Sequence, residues 1–385
     1  MTNKKQKLGQ YFTTNNDLKE KIFSFILNEP DVILEPSIGR GDLIVYISEK
    51  RPEFAVDMFE IDTKIKLLNG IEKEKVCYGD FLQQTITRTY KTIVGNPPYV
   101  KTKKANLYID FTEKCYNLLD VGGELIFIVP SDFLKLTCAS KLLNEMMMGG
   151  TFTHIYHPHN EKLFEGAAID VIIFRYCKNP DLEKVVLYND KPLHIINSDG
   201  LITFSEEQNE NSHMFKEYFD VYVGIVSGRE EVYKNEALGN ISVLNGEDKL
   251  EKYIYIDSYP CEDAAINQHL LQNKQILLGR AIRKMTEDNW YQWGALRNIT
   301  AVNENQGKDC IYVYNLTRRA NIAFAGKVGY FGGGLLMMKP KKTCNLENII
   351  SYLNSDTFKS NFMFSGRFKI GHRQLCNSFI PNEYL

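Results

Sequence analysis

A doubly wound, mainly parallel α/β sheet, followed by a second domain of mixed α+β character, is the architecture this sequence predicts. Three observations carry that prediction. Between residues 32 and 176, short β-branched runs alternate with amphipathic stretches, the pattern of strand–helix–strand units. After Phe152 the strands lose their intervening helices, so the last two are expected to form an antiparallel hairpin at one edge of the sheet. Beyond Cys177 the turn cluster Lys178-Asn179-Pro180-Asp181 opens a region of short strands, glycine-rich turns and many Tyr and Phe. A boundary near residue 180 follows, giving domains 1–180 and 181–385.

Taken in order, strands are expected at Val32–Glu35, Ala55–Ile61, Lys75–Gly79, Thr92–Gly95, Glu124–Val129, Phe152–His157 and Ile169–Tyr176. Helical periodicity falls at Asp17–Leu27, Gly41–Glu49, Thr63–Leu68, Leu107–Leu119 and Ser131–Met147. The strand ends carry the chemistry. After the first comes Glu35-Pro36-Ser37-Ile38-Gly39-Arg40-Gly41-Asp42, whose glycines allow a tight turn and close approach of backbone to a ligand. The second ends Phe59-Glu60-Ile61-Asp62, an acid about twenty residues on, where nucleotide-type sites hold ribose hydroxyls. The third ends Gly79-Asp80-Phe81, an acid and an aromatic suited to an adenine amino group and ring.

The fourth strand end, Asn96-Pro97-Pro98-Tyr99, is the most informative. Proline fixes φ and has no N–H, so the carbonyls of Asn96 and Pro97 are free to face a ligand. The Asn96 carboxamide oxygen adds an acceptor and Tyr99 a flat face for a planar base. Such a notch suits an exocyclic amine on a heteroaromatic ring. Four strand ends of this kind lie on one sheet edge, where open α/β sheets bind ligands.

Composition is that of an ordinary globular chain: 44% hydrophobic and 24% charged over 385 residues. The eight cysteines are scattered without C-x-x-C pairs or metal-like spacing, which fits reduced thiols and no metal centre. The basic stretch Met1–Lys7 is not followed by an apolar segment, and the longest apolar run, Leu125–Val129, is too short to span a bilayer. A cytoplasmic protein without membrane contact is expected. The net charge of −2 hides a polarity: residues 266–385 hold 16 Lys and Arg against 7 acids, a surplus of 9. The C-terminal part is therefore expected to meet a polyanion.

These motifs, in this order, resemble the amino-group (N6-adenine) DNA methyltransferases that use S-adenosylmethionine, in the circular arrangement called gamma and of the restriction-modification type. The resemblance covers the N-terminal half closely and the C-terminal half loosely. Gly9-Gln10-Tyr11-Phe12-Thr13 is similar to the family's first motif, which flanks the methionine part of the cofactor, so Gln10, Tyr11 and Thr13 are implied there. The resemblance further implies a Rossmann-like methyltransferase sheet. Glu35 and Gly39 are implied at the methionine end, Glu60 at the ribose, and Asp80 and Phe81 at the adenine, with Pro36, Gly41, Ile61 and Asn96 implied as further cofactor-binding residues. Asn96 and the Pro97 carbonyl would hold the target amine, with Tyr99 on one face of the base and Phe164 on the other. An amine buried in duplex DNA is out of reach of such a pocket, so the base would be flipped out.

Val223–Arg229, Tyr330–Leu335 and Gly366–Gln374 resemble segments of the family's recognition region, and Arg367, Lys369 and Arg373 are the candidate DNA contacts. The implied partner is double-stranded DNA, with a separate cognate restriction endonuclease and a monomeric state as further expectations. Two alternatives stand beside this reading. One is methylation of RNA adenine or protein glutamine through the same Asn-Pro-Pro-Tyr pocket; the other is a non-catalytic DNA-binding module.

Overall fold

The computed structural model describes residues 9–100, 106–208 and 212–385; the basic stretch at the N-terminus lies outside the described residues. The chain forms two compact units, Met1–Glu210 with Phe364–Gly366, and Asn211–Met363 with Arg367–Leu385.

The first unit is built on a ten-stranded sheet. Its strands are β1 (Val32–Glu35), β2 (Ala55–Glu60), β3 (Val76–Tyr78), β4 (Tyr90–Gly95), β5 (Leu119–Pro130), β6 (Thr151–Tyr156), β7 (Val171–Cys177), β8 (Val185–Tyr188), β9 (Lys191–Ser198) and β10 (Leu201–Ser205). They lie in the order β10-β9-β8-β6-β7-β5-β4-β1-β2-β3. From β5 to β3 the pairing is parallel, and β7 runs antiparallel to both β5 and β6. The chain winds outward through β1, β2 and β3 and then returns to β4 on the other side of β1. The gap between the ends of β1 and β4 is thus a topological switch point, where such sheets open a crevice.

Alternation along the central strands explains how both faces are covered. On β5, Leu125, Phe127 and Val129 enter one core while Ile126 and Ile128 enter the other. Helices α1 (Asn16–Ser24) and α2 (Asp42–Lys50) pack on the face of Ile126; α3 (Leu107–Asn117) and α4 (Ser140–Gly149) pack on the face of Phe127. A buried ion pair, Arg175 Nε to Glu124 at 2.7 Å, ties β7 to β5, and Glu124 also accepts the Leu27 and Asn28 N–H groups beyond α1.

Four expectations are corrected here. The sheet does not stop near residue 180: β8, β9 and β10 extend it, β8 pairing parallel to β6, so the division falls at residue 210. For the same reason the β6–β7 hairpin is interior rather than an edge. Thr63–Leu68 is not helical. Asp62 takes the Lys64 N–H on its side chain and Leu68 N–H goes to the Arg40 carbonyl, so the backbone donors are spent outside a helix. Six residues are in any case too few to propagate one without support. The stretch Ser131–Met147 is helical only from Ser140, two 3₁₀ turns preceding it.

The second unit contains a four-stranded antiparallel sheet in the order Phe219–Val223, Leu335–Pro340, Asp309–Tyr314, Ala323–Lys327. A hairpin, Ile241–Leu244 with Leu250–Tyr253, and the helix Ala264–Gln272 contribute to a separate apolar core around Trp290 and Trp293.

Candidate active site

The carboxyl ends of β1 to β4 converge on one cavity, and each end is shaped by its own hydrogen bonds. After β1, Gly39 takes a left-handed φ of 58°, which favours glycine, and its N–H donates to a Glu60 carboxylate oxygen at 2.9 Å. The other Glu60 oxygen accepts the Asp62 N–H at 2.8 Å. Glu60 is buried, and that burial raises its pKa above the ordinary carboxylate value against the pull of those two donors. After β3, Asp80 accepts the Leu82 N–H at 3.0 Å, which starts the turn that holds Phe81.

The cavity is lined by Gly39, Glu60, Ile61, Asp80, Phe81 and Asn96 from the strand ends, and by Gln10, Tyr11 and Pro36. Nine of the twelve residues proposed at the cofactor from sequence therefore surround one space. Ile61 is 54% exposed, a large apolar side chain held open beside Glu60 and Asp80.

Three do not line it. Glu35 is wedged between strands: a Cβ on Gly95 of β4 would stand 2.8 Å from Glu35 Oε1, and that oxygen accepts the Ser37 N–H at 3.0 Å. Burial pushes its pKa up to about 8. Glu35 braces the turn from behind and does not face the cavity. Gly41 caps α2 with φ 94°, and Thr13 is buried against Asn96. The lining also includes Phe12, Ser37 and Gly79, which lie inside the sequence motifs but were given no role of their own, and Leu82 and Phe111, to which the sequence did not point. The apolar ones gave no signal because a core position and a ligand wall use the same residue types.

Residues 9–13 run over the site as a strap. Gln10 Nε2 reaches Asp62 at 3.3 Å, and the Arg40 guanidinium lies 4.8 Å from the Phe12 ring centroid. The Asn96 Nδ2 donates to the Tyr11 carbonyl at 2.8 Å and to Thr13 Oγ1 at 3.1 Å. On its other side Asn96 Oδ1 accepts the Tyr99 hydroxyl at 2.6 Å. Pro97 is buried beside it. Tyr11 stacks on Tyr99 with centroids 5.5 Å apart and planes at 25°. Phe164, 3% exposed, meets Tyr99 edge to face at 6.2 Å. The structure thus brings Asn96, Tyr99 and Phe164 together, but with the Tyr11 ring on the Tyr99 face and no parallel slot between Tyr99 and Phe164. Among the described residues no cluster of three metal-ligating side chains occurs.

The candidate DNA contacts lie in the second unit. Arg367 and Lys369 are exposed on the strand Arg367–Lys369, with Phe368 buried between them; Arg373 is half-buried in the helix His372–Asn377. Several members of the basic surplus are already committed: Lys327 pairs with Asp309 and Lys339 with Asp220. Arg280, 5% exposed, donates to the carbonyls of Leu277, Ser227 and Trp290. The glycines of Val223–Arg229 and Tyr330–Leu335 have a packing role. Gly224 and Gly332 let two backbones cross so closely that a Cβ on Gly224 would stand 2.1 Å from the Gly332 carbonyl oxygen.

Known proteins are similar to parts of this chain. Residues 47–164 match the Eco57I restriction-modification methylase family. Over that stretch the match agrees with the restriction-modification methyltransferase resemblance drawn from the sequence. Among curated relatives, the chain is 28% identical over 228 residues to "Type II methyltransferase M.HincII" of Haemophilus influenzae, covering 53% of this chain and 44% of that protein. It is 33% identical over 149 residues to "Modification methylase CviBIII" of Paramecium bursaria Chlorella virus NC1A, covering 33% of this chain and 39% of that one. The chain thus spans less than half the length of these relatives. Among solved structures, the Type IIL restriction-modification enzyme MmeI in complex with DNA has a TM-score of 0.57 at 11% identity, covering 95% of this chain and 64% of that one. The fold is that of a Rossmann-like methyltransferase sheet with a further mixed domain. No helix among the described residues is long and apolar enough to cross a membrane.

Proposed function

We propose that this chain is an S-adenosylmethionine-dependent DNA methyltransferase of the restriction-modification type, acting on the N6 amino group of a flipped adenine in a short duplex sequence. The observation that carries the proposal is the carboxamide of Asn96, held beside the shared cavity with its oxygen turned away from the strap.

The residues present fit the cofactor. Glu60 has two oxygens anchored by backbone N–H groups including those of Gly39 and Asp62, and the carboxylate keeps acceptor capacity for a ribose hydroxyl. Asp80, fixed by the Leu82 N–H, would accept from the adenine amine, with the exposed Ile61 and the Phe81 edge against the ring. Tyr11 and Gln10 of the strap would close over the methionine end. The chemistry such a cofactor supplies when bound is a methyl group activated on a sulfonium sulfur.

What this chain then does is position and polarise. The lone pair of an aromatic amine is delocalised into its ring. Two acceptors, Asn96 Oδ1 and the Pro97 carbonyl, would draw the amino hydrogens out of plane and aim the lone pair at the cavity, an effect of orientation and fixed dipoles. Tyr99 would stack on the base, and for this the Tyr11 ring would have to leave the Tyr99 face. Phe164 would support Tyr99 edge-on. Arg367, Lys369 and Arg373 would meet DNA phosphates or base edges.

The test is incubation with labelled S-adenosylmethionine and mixed-sequence duplex DNA, followed by nucleoside analysis and mapping. N6-methyladenine at one recurring short sequence is the expected result. Label in RNA or in protein glutamine, with none in DNA, would overturn the DNA reading while keeping the pocket chemistry.

A further inference from the structure

A carboxamide has two ends of nearly equal size and opposite polarity, and only one of them can accept from an amine. Whether Asn96 can serve a target amine therefore depends on which end is turned outward. The Tyr99 hydroxyl at 2.6 Å does not decide this. It also lies 3.1 Å from the Ile128 carbonyl oxygen and carries a single proton. With that proton on Ile128, the phenol oxygen could accept from an amide N–H as readily as it donates to Oδ1. The Tyr11 carbonyl decides. It accepts only, and it stands 2.8 Å from the carboxamide, so the NH₂ end must face the strap. Thr13 Oγ1, on a side chain 5% exposed, takes the second amide hydrogen at 3.1 Å.

We infer that Thr13 and the Tyr11 carbonyl are the positioning groups that set the polarity of Asn96, so that the 9–13 strap belongs to the methyl-acceptor pocket as well as to the cofactor cavity. This rests on the proposed methyl transfer and adds to it a residue that acts through Asn96. In the flipped orientation Oδ1 would oppose the Tyr11 carbonyl, two acceptors 2.8 Å apart with no hydrogen between them, and the hydrogen bonds to the Tyr11 carbonyl and Thr13 would be lost even if the Tyr99 oxygen accepted one amide hydrogen. An aspartate at position 96 would set a carboxylate oxygen against the same carbonyl, which gives a physical reason for a carboxamide there. Thr13 lies outside the cavity lining, so its effect is expected on turnover and not on cofactor affinity.

Thr13→Val removes the acceptor at constant shape, and Thr13→Ser keeps it. The expected result for Thr13→Val is a fall in kcat of about tenfold, the order of one lost hydrogen bond. Its calorimetric Kd for S-adenosylmethionine should stay within about twofold, because Thr13 does not line the cavity. The Asn96 side-chain NH₂ resonances, assigned by their disappearance in Asn96→Ala, should move upfield and exchange faster in Thr13→Val. Thr13→Ser should restore both turnover and resonances. Weakened cofactor binding with kcat preserved would overturn the inference in favour of a cofactor contact, and unchanged kcat with unchanged resonances would overturn it outright. Should Thr13→Val not fold, the unsubstituted protein decides: two downfield, slowly exchanging protons uphold the inference, and one free proton refutes it. If the protein transfers no methyl group to DNA, the functional reading falls while the resonances still test the polarity of Asn96.

Discussion

The two units use polar side chains in opposite ways. In the first, the carboxylates and the carboxamide at the strand ends are fastened by backbone groups and keep further lone pairs turned to a cavity, as Glu60 does between the Gly39 and Asp62 N–H groups. In the second, several of the charges that make the sequence basic are consumed by the fold itself. Arg280 spends its donors on three carbonyls, and Lys327 and Lys339 are paired with Asp309 and Asp220. The contrast teaches that a charge surplus counted along a chain overstates the surface offered to a polyanion. A row of polar strand ends understates nothing, because the parallel sheet itself brings those ends together.

The comparison breaks most visibly at Asn96. Asn96→Ala should lower kcat for methyl transfer by on the order of 10²–10³, as loss of a fixed polar group at a reacting centre does. Cofactor affinity measured by calorimetry should change far less, since Glu60 and Asp80 still line the cavity. Retained turnover would return Asn96 to the status of a turn residue. Glu60→Ala comes next. Losing charge-assisted hydrogen bonds should raise the Kd for S-adenosylmethionine by roughly 10- to 100-fold. An unchanged titration would remove Glu60 from the site and leave it a brace for Gly39.

Glu35 sharpens the comparison by being the exception in the first unit, an acid buried without facing the cavity. Its folded pKa is raised from the ordinary value to about 8 by burial. Between about pH 4.5 and about 8, then, the folded chain holds a proton that the unfolded chain has released. Stability contributed by this group falls as pH rises through that window. Glu35→Gln keeps an acceptor for the Ser37 N–H and removes the titration. It should flatten the pH dependence of Tm over pH 5–8 and raise Tm at pH 8 by a few degrees, on the order of 2–4 °C. A parallel curve for the variant would show that Glu35 is not held protonated.

How far the site could be read from the sequence follows from the same physics. Strands β1 to β7 and their polar ends were legible because buried parallel strands read as short apolar runs and each ends in turn residues. Glu60, Asp80 and Asn96 were identified on that basis, and they share a cavity. Glu35 was assigned to the cofactor because the family resemblance implied it, and only the packing of Gly95 against it reveals the wedge. Strands β8 to β10 were missed because they follow a turn cluster that looks like a linker. Their pairing with β6 is a long-range contact that no local pattern announces. The strap was recognised as a motif, but its hydrogen bonds to Asn96 span 83 and 85 residues.

The smallest expected effect tests the second unit on its own terms. Arg367 and Lys369 are exposed on one short strand, flanking a buried Phe368 that holds their backbone in place. If each neutralises one phosphate, Arg367→Ala and Lys369→Ala should each weaken DNA binding at every sequence alike and reduce the slope of log K against log salt by about 1. A base contact would behave differently, leaving the slope nearly intact and relaxing the preference at one position of the site. Arg280 serves as the internal contrast. Its donors point at Leu277, Ser227 and Trp290, so replacing it should leave the salt slope where it is. Equal slopes for Arg367→Ala, Lys369→Ala and the unsubstituted protein would move the polyanion-facing surface away from this strand, towards basic residues that the fold has not already consumed.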